Sequence, residues 1–109
     1  MSTHSIIALE QNNSSIISIY CHFDGYESGV GKILKNDYTE LKDIQNLIRL
    51  GNLSSLDGQP VAYHRDRDES WLNNKPVIDD DKESLIKRCE RISYIYLWNK
   101  GDWLTLQKP

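Results

Sequence analysis

The sequence predicts one α+β domain over residues 1–109, a mostly antiparallel sheet of about five strands (two hairpins plus one central strand) with two to three helices packed on one face. Three observations carry this. Apolar residues alternate with a period of two in 16–23 and again in 94–98, as half-buried strands require. They recur at helical spacing in 40–50 and 82–91. The elements run hairpin, helices, strand, helix, hairpin, with no internal repeat and no linker, and 109 residues suit a single core.

Residues 5–9 are a short apolar run, and Gln11-Asn12-Asn13-Ser14-Ser15 is a turn-forming cluster, so this run and the strand from Ile16 pair as an antiparallel hairpin. In that strand Ile17, Ile19, Cys21 and Phe23 fall on one side, and Ile16, Ser18, Tyr20 and His22 on the other. Asp24-Gly25 ends it, because Asp bonds its own backbone and Gly tolerates positive φ. Gly29 and Gly31 then lead into a short helix from Lys32 to about residue 35. The clearest helix is 40–50, with Leu41, Ile44, Leu47 and Ile48 on one face, Asp37 or Thr39 as its cap and Gly51 as its stop.

Residues 52–58 read as a loop whose one irregular turn holds Leu53 and Leu56 against the core. Residues 60–64 form a short strand, and 65–76 a loop too charged for a core element. Asp80, with Glu83 in capping-box spacing, starts a helix over 82–91 that buries Leu85, Ile86 and Cys89, so the acidic run 79–81 serves capping and not a metal. The chain closes with a hairpin, 93–98 and 103–107. Tyr94, Tyr96 and Trp98 share one face of it. Either a helix covers that face, which the rarity of large exposed patches on monomers favours, or it is a partner-binding surface.

A net charge of −3 and a pI near 5.5 argue against general nucleic-acid binding, which needs an excess of Lys and Arg. No apolar run is long enough to span a bilayer, and MSTHSIIALEQ lacks the basic region and apolar core of a signal peptide. A cytoplasmic location without membrane association is therefore expected. Cys21 and Cys89 are far apart in apolar patterns and read as buried thiols.

The chemistry-bearing residues gather around one corner. His22, Asp24, Tyr26, Gly29, Gly31 and Lys32 lie where a strand turns into a helix, and Tyr63, His64, Arg65 and Arg67 end the 60–64 strand. Free N–H groups at Gly29 to Lys32 and the two guanidinium groups would suit a small anion or a nucleotide, with a tyrosine stacked on its ring. The competing reading is that the glycines only permit a tight turn and close packing. A P-loop is excluded, since Tyr26 and Ile33 occupy places that require Gly and Ser or Thr. His22-Phe23-Asp24 and His64-Arg65-Asp66 could supply a metal-dependent hydrolase if their strands were neighbours, but such triplets arise often by chance. His64-Arg65-Asp66 also spells a kinase triplet, yet Trp71 stands where the required Asn would be. No catalytic residue, metal or cofactor is assigned.

The segments Ile19-Tyr20-Cys21-His22-Phe23-Asp24-Gly25-Tyr26, Gly29-Val30-Gly31-Lys32, Leu50-Gly51-Asn52-Leu53-Ser54-Ser55-Leu56 and Ala62-Tyr63-His64-Arg65-Asp66-Arg67 resemble a family of small proteins encoded by bacteriophages, prophages and plasmids. The likeness covers roughly 16–70 and the aromatic strand 94–98. It implies a context, since small accessory proteins of mobile elements often bind and disable a host component, defence systems included. The expectation is a non-enzymatic binder of a host protein, with a small-anion or nucleotide binder as the alternative and a hydrolase behind both.

Overall fold

A computed structural model describes residues 3–107, with side-chain environments up to Leu106. The expected hairpins both form. β1 (Ser5–Glu10) pairs antiparallel with β2 (Ile16–Cys21), Ile7 opposite Ile19, and β6 (Tyr94–Asn99) with β7 (Asp102–Gln107), Tyr96 opposite Thr105. Lys100 and Gly101 turn the second hairpin with φ of 53° and 89°, the left-handed pair whose twist matches the flanking strands.

The sheet is larger than expected and mixed. Among the described residues it has seven strands, β3 (Leu53–Ser55), β4 (Val61–Ala62) and β5 (Val77–Asp79) being the short ones. β1 runs parallel to β6, Ile7 opposite Tyr96, and β2 parallel to β3, Cys21 opposite Leu53. The order is β4-β3-β2-β1-β6-β7, with β5 also seated on β2. Alternation reveals that a segment is a strand and which side chains share a face. It carries no information on which strand lies beside it or in what direction.

The helices cover both faces and not one. α1 (Lys32–Asp37) and α2 (Leu41–Ile48) pack Leu34, Ile44, Leu47 and Ile48 against Ile7, Leu9, Ile19, Cys21 and Tyr96. α5 (Lys82–Arg88) packs Leu85, with Cys89 just after it, against Ile6, Ala8, Ile16, Ile95 and Leu97 on the reverse face. β1, β2 and β6 carry bulky apolar residues on both sides, and each such side chain gains about 1.5–3 kcal/mol on burial. A single helical layer would have left half of that surface wet.

The connections differ most from expectation. Residues 53–55 are strand and not loop, the 60–64 strand shrinks to two residues, and Tyr63 opens α3 (Tyr63–Arg67). Asp66 causes that switch, because its carboxylate accepts the Ala62 N–H at 2.8 Å. Within the supposed loop, α4 (Trp71–Asn74) forms a further turn. α5 is capped by Asp81, one residue later than expected, its carboxylate accepting the Ser84 N–H at 2.8 Å. α2 has no side-chain cap from Asp37 or Thr39, and Gly51 ends it with φ of 78° as expected.

Candidate functional site

The corner after β2 is tied down on every side. The His22 and Phe23 N–H groups donate to the Leu53 and Ser54 carbonyls at 3.0 and 2.9 Å. Gly25 N–H donates to the Thr3 carbonyl at 2.8 Å, and the Gly25 carbonyl accepts from the buried Tyr96 hydroxyl at 2.7 Å. The chain then makes a wide helical turn, Glu27–Gly31, into α1. Within it Gly29 and Gly31 N–H both donate to the Tyr26 carbonyl, at 3.0 and 3.3 Å, and Val30 N–H to the Asp24 carbonyl at 2.8 Å. The amides expected to cradle an anion are thus spent inside the turn.

The glycines are there for lack of room. A Cβ on Gly29 would overlap the Asp24 carbonyl oxygen, and one on Gly31 would stand 3.1 Å from the Tyr96 ring. What the turn leaves open is a hollow of about 350 Å³ that brings together Asp24, Tyr26, Gly29 and Lys32, joined by Asn36 and Asp57. Two carboxylates face one ammonium there. The charge of Asp24, the Tyr26 hydroxyl's hydrogen bond to it, partial burial and Asp57 all raise the Tyr26 phenol above its ordinary range. That field disfavours an anion.

The other expected ligands stand elsewhere. Arg65 is held by both oxygens of Asp66, at 2.9 and 2.8 Å, and by the Pro60 carbonyl at 2.9 Å. Arg67 lies over the Tyr63 ring at 5.5 Å, and the His64 imidazole packs on Trp71 with its Nδ1 2.8 Å from the Glu69 carbonyl oxygen. His22 belongs to a third group: its Nδ1 is 2.8 Å from the Tyr20 hydroxyl, and its ring packs on that of His4 at 4.5 Å. His4 had given no signal in the sequence, being a lone histidine near the start of the chain. The two His-x-Asp pairs do not assemble into a metal site, for among the described residues no three His, Cys, Asp or Glu stand together as metal ligands.

The aromatic strand is core. Tyr96 is 1% exposed and Trp98 8%, beneath the helical layer of α1 and α2, and Tyr94 is half-buried with its ring stacked on Tyr96. Tyr96 and Trp98 therefore offer no surface to a partner, which corrects the partner-binding reading of Tyr94, Tyr96 and Trp98; cover by a helix is what the fold provides. Of the exposed large apolar side chains, Trp71 at 38%, Leu72 at 76%, Val77 at 41% and Ile78 at 63% lie in the segment read as a charged loop and just beyond it, the others being Phe23, Tyr26, Leu41 and Leu104. The signal was present in Trp-Leu and Val-Ile, two bulky pairs set in a stretch too polar to be core.

Comparison with protein-family models, with curated proteins and with solved structures gives no match for this chain. No helix among the described residues is long and apolar enough to cross a membrane.

Proposed function

We propose that this chain is a small accessory protein of a phage or other mobile element that acts without catalysis, in the host cytoplasm, by binding and modulating a host protein, an antiviral defence component being the first candidate. The observation that carries the reading is the exposure of Trp71, Leu72, Val77 and Ile78 within one eight-residue stretch. Monomers rarely expose several bulky apolar side chains in so short a stretch without use, Val77 and Ile78 here lying on opposite faces of β5, and Trp and Arg dominate binding hot spots, with Arg67 and Tyr63 on the neighbouring helix. The likeness to proteins of mobile elements supplies the host context.

The stretch is also well placed to bind as a rigid body. β5 is paired to β2, Ile78 opposite Ile17, and Asn52 N–H donates to the Asn74 carbonyl at 2.7 Å. Side chains held on a fixed backbone lose less entropy on association than a flexible loop would. Affinity capture from a bacterial lysate tests the reading: the native chain retains a host protein, and Trp71→Ser with Ile78→Asp releases it while the melting temperature stays within a few degrees. Retention of the same protein by the double variant would sink this surface.

A further inference from the structure

A groove of about 470 Å³ between α1, α2 and the loop at 56–60 is used by none of the features above. Ile33, Leu47, Leu50, Leu56 and Tyr38 give it apolar walls. Asp37 and Asp43 also line it, and neither forms an ion pair among the described residues. Its one cation, Arg65, is already neutralised by Asp66 at 2.8 Å. Ile33 is shared with the hollow that holds Asp24, Asp57 and Lys32, so the two depressions adjoin, and Asp24, Asp37, Asp43 and Asp57 line them with Lys32 as the second cation. Burial, then Asp37 and Asp43, raise the Tyr38 phenol, as Asp24 and Asp57 do Tyr26, so the field is negative at both rings.

We propose that these adjoining grooves bind a basic segment of a partner protein, an Arg or Lys whose aliphatic stem lies along the apolar wall and whose charge sits among the carboxylates. Charge complementarity selects that occupant. An apolar or acidic segment would strip water from Asp37 and Asp43 and give nothing back, whereas a guanidinium satisfies them and can also lie on a tyrosine face. The inference rests on the reading of the chain as a protein binder, but on a surface separate from Trp71 to Ile78.

The test is a fluorescence-anisotropy titration of the full chain against a short peptide alternating Arg with Leu, beside the same peptide carrying citrulline for Arg. The Arg peptide binds, and the citrulline peptide binds at least about tenfold more weakly. Asp43→Asn and Asp57→Asn each weaken the Arg peptide by about fivefold, and high salt does the same. Amide NMR shifts on binding centre on Tyr38 and Leu47. Equal affinity for both peptides, no binding of either, or indifference to both Asp substitutions overturns the proposal, as does tighter binding of inorganic phosphate in the same groove. Trp71→Ser with Ile78→Asp leaves the Arg peptide's affinity unchanged, so failure of the lysate capture and failure here are separate results.

Discussion

The corner at 24–32 and the stretch at 71–78 exchange roles between sequence and structure. The first has three glycines, a lysine and a tyrosine in the manner of a ligand loop, yet its amides bond one another and its glycines are pressed against Asp24, Tyr96 and the chain at His4. The second is embedded in charges and asparagines like an idle connection, yet it holds Leu72 and Ile78 in solvent on an ordered backbone. Closely spaced glycines report a shortage of space. Bulky apolar residues in a polar run report a surface.

That contrast can be broken most directly at Gly29. If the turn is packing, Gly29→Ala costs about 3 kcal/mol or more, because a backbone oxygen must move, and denaturant unfolding measures it; a loop that only served a ligand would lose less than about 1 kcal/mol. Cys21, where the corner begins, sharpens the point through pH. Burial pushes its thiol from an ordinary 9.0 up to about 12, with a backbone hydrogen bond at Phe23 opposing and the Asp24 charge adding. A folded value above the unfolded one means that the stabilisation is complete below pH 9 and is lost as pH rises towards 12. Alkaline unfolding followed by circular dichroism should move to higher pH in Cys21→Ala, and at pH 8 the native thiol should resist alkylation.

Tyr96→Phe keeps the ring and leaves the Gly25 carbonyl without its donor, a loss of about 1–2 kcal/mol by the same unfolding measurement. At the other region, Arg88 clamps the end of β5 through Asp79 at 2.8 Å and reaches the Ser18 hydroxyl at 3.0 Å. Arg88 is partly exposed, so screening limits Arg88→Ala to about 1 kcal/mol, seen as faster hydrogen exchange confined to β5 and its β2 partners. The smallest effect is expected at Leu72, 76% exposed, where a serine substitution changes stability by about 0.5 kcal/mol or less and acts only on partner capture.

Much of the fold was legible. The hairpins at both ends, the α2 face of Ile44, Leu47 and Ile48 with its Gly51 stop, and an acidic cap for α5 all follow from periods and capping chemistry set by neighbouring residues. The short strands β3 and β5 were not, and β4 was legible only as part of a longer 60–64 strand, because two or three residues show no period and pair only where a neighbouring edge is open. Of the candidate site, only Asp24, Tyr26, Gly29 and Lys32 came to share one hollow. His64 and Arg65 followed the α3 turn that Asp66 starts, and no local pattern announces where such a turn will aim its side chains.

By itself the sequence determined that this is an α+β chain and which side chains alternate along β2 and β6. Those properties depend on residues a few positions apart. Tertiary structure alone decided that β1 lies parallel to β6, that helices cover both faces, that Tyr96 is buried under α1 and α2 while Ile78 is not, and that four carboxylates gather around Ile33. Each of these is a contact between residues far apart in the chain. Such contacts are set by which surfaces remain to be covered once the local elements exist, and burial, charge and binding follow from them.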